Sequence, residues 1–172
     1  MREGDYQGSL LWVLDATVTP MGRRLIRKWV EQPLINQAEI CKRHAAVEAL
    51  ATDNQARGDL RMALDGVYDL ERLAGRIAAA SANARDLNAL QLTLSRLPSV
   101  ISILGEFNSA TLSAICQRIN PLVEVVSAIT QAIVEDPPVA IKEGGLIKPG
   151  FSKALDELRT VAVGAKEWLG TF

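Results

Sequence analysis

Leu87, Leu90, Leu94, Leu97, Ile101 and Leu104 recur at alternating intervals of three and four residues. That spacing lays them along one stripe of a helix in the manner of a heptad seam, and such a stripe is hidden from water only by packing against other helices. Asn83 stands ahead of the run as an N-cap, a residue whose short polar side chain accepts from the unpaired amides of the first turn. Pro98 interrupts the seam without shifting its phase. An interior proline removes one hydrogen bond and presses on the preceding turn, so the expectation is a kinked helix, or two short ones nearly end to end.

Similar punctuation recurs along the chain. Thr19-Pro20 reads as an N-cap followed by proline at the first helical position, with Leu25, Ile26, Trp29 and Val30 on one face and Pro33 as the stop. Asn36 with Glu39 resembles a capping box ahead of Ile40, Val47 and Leu50. Asp53 opens a segment through Leu60 and Leu64 to Gly66, and Asp69 caps the stripe Leu70, Leu73 and Ile77. Later starts fall at Ser109, ahead of Leu112, Ile115, Cys116 and Ile119, and at Asn120-Pro121, ahead of Leu122, Val125, Val126, Ile129 and Ile133.

One stretch departs from helical patterning. Residues 137–150, PPVAIKEGGLIKPG, hold two β-capable runs around Gly144-Gly145, which predicts a short hairpin near residues 139–148. Ser152 then caps a last helix whose positive end carries Asp156 and Glu157. Leu155, Leu158, Ala162, Ala165 and Leu169 form a second three-four seam, awaiting a partner helix. The fold class is therefore all-α: a multi-helix bundle with one short β-hairpin and a long C-terminal helix. Residues 1–7 read as an opening linker, 8–151 as the helical core and 152–172 as the start of an outgoing helix.

Composition narrows the function. With 172 residues, 48% of them hydrophobic, one core-forming domain is expected. The 19 Lys and Arg balance 20 Asp and Glu, so no long-range field draws the whole chain to nucleic acid or an anionic membrane. Cys41 and Cys116 lack metal-ligand spacing and read as small buried core residues, which suits a reducing cytoplasm. No run of the ~18 uninterrupted apolar residues of a membrane span is present, nor the apolar core of a signal peptide.

The motifs with chemical potential are few. Arg23, Arg24, Arg27 and Lys28 pair twice at i,i+4 and make two basic rows on one helix. They are candidate, weak phosphate contacts, weighed against a solvated or ion-paired face, which the near-zero net charge and the lack of interleaved aromatics favour. Residues 145–152, GLIKPGFS, have the glycine spacing of a phosphate-binding loop, but Phe151 stands where its lysine belongs. His44, the one histidine, borders an apolar stripe and would anchor a small helical hydrolase only with a partner nucleophile, and none is spaced for it. No catalytic, cofactor-binding or metal-ligating set is assigned.

The segment GSLLWVLDATVTPMGRRLIRKWVEQPL, residues 8–34, resembles the opening of the core (lever) domain of the MutS family of DNA mismatch-recognition ATPases. The likeness continues in register through RHAAVEAL, VYDLERLAGRIA, NARDLNAL and EDPPVAIKEGGLIKPGFSKALDELR, covering nearly the whole chain. Ala16 departs from it, since bacterial members commonly carry a basic residue between that aspartate and threonine.

The resemblance implies a first core segment of a longer protein, linking a mismatch-reading domain and connector to an ATPase, with helices that lead to a DNA clamp. ATP and magnesium would belong to the parent's ATPase domain, mismatched duplex DNA would be bound by the parent, and the parent would be a cytoplasmic, nucleoid-associated bacterial homodimer with no membrane partner. The alternative is a stand-alone helical DNA-binding module using the basic helix from Arg23 to Lys28.

Overall fold

The computed structural model describes residues 7–170, with side chains described through Ala162. Among the described residues the chain forms nine α-helices and no strand: α1 Leu10–Leu14, α2 Pro20–Glu31, α3 Gln37–Thr52, α4 Asn54–Leu64, α5 Leu70–Ala78, α6 Ala84–Gly105, α7 Ala110–Arg118, α8 Val123–Ala132 and α9 Lys153–Gly170. Most starts are made by the residues expected to cap them. The Thr19 hydroxyl accepts from the Gly22 amide at 3.0 Å with Pro20 beside it. Asp53 and Asp69 accept from the Ala56 and Arg72 amides at 2.9 and 3.3 Å, and Ser109 and Ser152 accept from Leu112 and Leu155 at 3.5 and 3.4 Å. Asn83 and Asp86 form a complete reciprocal box, each side chain accepting from the other's amide. Asn36 makes only half of one, because its partner Glu39 turns to Lys42, 2.7 Å away, which holds the Glu39 carboxyl below its usual range.

Helix α6 is the spine. It runs unbroken through Pro98, so the chain is one helix here rather than two. Its C-terminal half packs with α4 and α7 in a cluster of Ala46, Ala56, Leu60, Val100, Leu104, Phe107 and Leu112, to which α3 adds Ala49 and Leu50. Its N-terminal half meets α8 in a smaller cluster of Ala84, Ile129 and Ile133, flanked by Leu87, Leu90, Leu146 and Ile147. Between them Thr93 is fully buried, and its hydroxyl accepts from the Tyr68 amide at 3.0 Å, which sets the entry to α5. Arg76 of α5 reaches Asp86 at 2.8 Å. By length and composition α6 could cross a bilayer, but it is packed against four helices.

Four expectations are corrected. The hairpin near 139–148 is absent: Ile141–Glu143 tighten into a 3₁₀ turn. Gly144, at φ 72° and ψ −169°, carries the chain onward instead of reversing it as a two-residue hairpin turn would. Leu146 and Lys148 pair instead with the end of α8, through an isolated bridge between Ile133 and Ile147. Helix α8 starts at Val123, not at Asn120-Pro121, because the Asn120 carboxamide accepts from the Leu122 amide and Leu122 sits left-handed at φ 48°. On α3 the buried face is Ala46, Ala49 and Leu50, while Val47 is exposed. Cys41 is exposed; Cys116 does pack on the core, its thiol 3.5 Å from the Ile101 carbonyl oxygen.

The accessible surface is 12619 Å², against roughly 8,200 Å² for a compact monomer of this mass. Among the described residues, apolar side chains such as Met62, Val123, Ile141 and Leu158 are left in water. Stability should concentrate along α6. Leu94→Ala is expected to cost ~2–5 kcal/mol in urea denaturation, while the exposed Leu158→Ala stays within ~0.5 kcal/mol.

Candidate functional site

Helix α2 and the turn before it bring most of the basic quartet against carboxylates. The Asp15 side chain is almost fully buried. It accepts from the Thr17 hydroxyl at 2.6 Å, the Thr17 amide at 3.2 Å and the Arg23 guanidinium at 3.1 Å. Arg24 reaches across to the start of α5, donating to both Asp69 oxygens at 2.6 and 2.8 Å and to Glu71. Arg27 pairs with Glu31 one turn on, at 2.8 Å. Lys28 is exposed and enters no ion pair among the described residues. Gly22 is needed where it lies, since a Cβ there would stand 2.9 Å from the capping Thr19 hydroxyl.

Arg24 is the organising group. Its fork matches a carboxylate in two parallel hydrogen bonds, a geometry lysine cannot copy. The pairing with Asp69 and then Glu71 holds the guanidinium still more firmly in its charged form, and Arg24 in turn draws the Asp69 carboxyl down to about 2. Asp69 thus works twice, as the cap of α5 and as the anchor of α2. An open cleft of about 360 Å³ lies over the pair, lined by Thr17, Thr19, Arg23, Arg24, Asp69 and Arg72 among others. Two further links join the region to its neighbours: Arg61 of α4 donates to the Ala16 carbonyl at 2.9 Å, and the Arg43 guanidinium lies 3.7 Å over the Trp29 ring.

The root of the last helix is tied just as closely. Asp156 accepts from the Gly150 amide at 2.7 Å and from Arg159 at 3.1 Å, and Arg159 also donates to the Ile147 carbonyl at 2.8 Å. Lys148 closes the end of α8 by donating to the Thr130 carbonyl at 2.8 Å. On the α6 side, Asn88 donates to the Val134 and Glu135 carbonyls and Arg85 to the Pro137 carbonyl. Of the predicted seam, Leu155 is half-buried, whereas Leu158 and Ala162 are exposed; Ala165 and Leu169 lie outside the described side chains. His44 is exposed on α3, and no group of three or more metal-ligating side chains occurs among the described residues.

Sequence reasoning located the basic rows and the cap at Asp69, but not the pairing between them. Arg24 and Asp69 are separated by 45 positions, and only the docking of α2 beside α5 joins them. Glu71 and Arg61 went unmarked for the same reason, their partners Arg24 and Ala16 lying 47 and 45 positions away; Asp15 and Arg159 went unmarked although their partners are nearer in sequence. The Asp15-x-Thr17 spacing was the one local signal available, since an aspartate commonly accepts from the amide two residues on.

The clasp carries a pH signature. Because Asp69 is depressed in the folded chain, its contribution is whole above its ordinary value of 3.8 and is withdrawn as pH falls toward about 2. Asp69→Asn keeps a capping side chain and loses the charge. In urea denaturation the substituted chain should show a shallower loss of stability between about pH 4 and pH 2 than the unsubstituted one.

The family model for MutS domain III matches residues 1–165. The DNA mismatch repair protein MutS of Symbiobacterium thermophilum is 46% identical over 169 residues, which are 98% of this chain and 19% of that protein. Its counterpart in Brevibacillus brevis is 42% identical over 98% of this chain and 20% of its own length. That of Synechococcus elongatus is 45% identical over 99% and 19%. The chain thus spans 19–20% of the length of these curated relatives. The family match runs over residues 1–165 and the relatives align over 98–99% of the chain, which leads to one conclusion: the chain belongs to the MutS domain III family.

Proposed function

We propose that this chain is the non-catalytic core and lever module of a mismatch-repair ATPase, coupling the clamping of mismatched DNA to ATP binding and hydrolysis elsewhere in a longer protein. The observation that carries the reading is the anchored root of α9. Arg159 and Asp156 fasten its first turns to the bridge between Ile133 and Ile147, which itself lies on α6 and α8. A helix of 18 residues leaving a fixed base is a lever of ~27 Å, and a rigid-body rotation of the base is magnified at its tip. The open surface supports the same reading, since its exposed apolar side chains suit contact with further domains.

In this account ATP and magnesium belong to the parent's ATPase domain, mismatched duplex DNA is held through its clamp, and the connector, clamp and ATPase domains are the chain's partners within a cytoplasmic homodimer. Leu158 and Ala162, exposed on α9, belong to the surface that those contacts would cover. Thr19, Asn36, Asp69, Asn83 and Ser152 are framework positions. The test is Arg159→Ala in the full-length parent. Basal ATP turnover and DNA binding should persist, while the change in turnover caused by mismatched DNA shrinks by ~2- to 30-fold, the range of a lost coupling of ~0.5–2 kcal/mol. Coupling left intact, or ATP turnover lost altogether, would refute the role.

A second reading, a DNA-binding module in its own right, draws on the 70% and 66% exposure that the Arg23 and Arg27 side chains retain within their ion pairs. Under the coupling reading, fluorescence anisotropy with duplex DNA should give weak or no binding by the 172-residue chain. Tight binding that falls steeply with salt, and is lost in an Arg23→Ala, Arg27→Ala double variant, would favour the second instead.

A further inference from the structure

The hairpin of α1 and α2 is joined to the bundle differently from α4, α6, α7 and α8, which share the buried clusters. Neither helix contains a fully buried residue, and the buried core begins only at Ala46. Helix α2 packs chiefly on α1, while Met21, Ile26 and Val30 are half-buried. Leu10, Val13, Leu14 and Leu25 remain 47–68% exposed. What ties the hairpin down is polar: the Arg24 fork on Asp69 and Glu71, the Arg61 bond to the Ala16 carbonyl, and the Arg43 guanidinium over Trp29.

We propose that the α1–α2 hairpin is an electrostatically latched arm that undocks and melts as a unit, apart from the bundle, when the Arg24 fork releases Asp69 and Glu71. Isolated exposed ion pairs contribute little, but a bidentate fork shared between two carboxylates, one of them mostly shielded at a helix cap, is the geometry in which they do contribute. Once free, a helix of 12 residues is too short to persist in water, so release and melting occur together. Neither of the two buried clusters along α6 includes a residue of the hairpin. The latch stands independently of the coupling role, because it rests only on how this hairpin is fastened.

Hydrogen exchange resolved by segment on the 172-residue chain tests it. In Arg24→Ala, amides of residues 23–31 should exchange at least tenfold faster, while those of residues 93–104 in α6 keep their rates. Raising salt to 1 M, where the Debye length shrinks to ~3 Å, should speed the same α2 amides in the unsubstituted chain. Arg24→Lys keeps the charge without the fork and should fall between the two. Unchanged α2 rates in Arg24→Ala would overturn the latch. So would a parallel rise in α2 and α6, which would make the hairpin part of one cooperative whole, and so would Arg24→Lys exchanging as slowly as the unsubstituted chain.

Discussion

The register of α6 decides which side chains meet α8 at one end and which meet α4 and α7 at the other. Leu94, Val100 and Leu104 are buried along one part of its surface and Ala84 near its start. A rotation of the helix about its axis that favoured one cluster would expose the other. The bond from Arg76 to Asp86 and the seat of Tyr68 on Thr93 oppose such a rotation from α5 and the loop before it. Polar contacts thereby supply orientation, and the clusters supply most of the free energy.

Where apolar burial runs out, the architecture turns to charge. The N-terminal hairpin lies on the bundle through arginine forks and a guanidinium stacked on an indole, and the root of α9 is held by arginine and aspartate to backbone carbonyls and amides. Directional bonds of this kind fix angles well and resist water poorly.

The parts legible in the sequence were those whose cause is local. A cap lies within three residues of the amide it satisfies, and a seam repeats within a turn, so Thr19, Asn36, Asp69, Asn83 and Ser152 could be read directly. Proline at 98 was harder, since its cost is local and its toleration is tertiary; α6 continues through it as one element. The misread stretch was the one where a local signal competed with a distant one. Gly144-Gly145 can turn a hairpin, but the end of α8 offers Leu146 and Lys148 better partners, with amide and carbonyl bonds of 3.0 and 2.8 Å. The arginine clasp was invisible because its two halves are 45 residues apart.

Thr93 carries an evolutionary consequence out of proportion to its size. Its methyl group fills space that no solvent reaches, and its oxygen receives the Tyr68 amide. Valine has the shape without the acceptor and would strand that amide; serine has the acceptor without the methyl and would leave a void. Each of these two exchanges forfeits one of the two roles. Either exchange would loosen the loop before α5 from the helix it sits on.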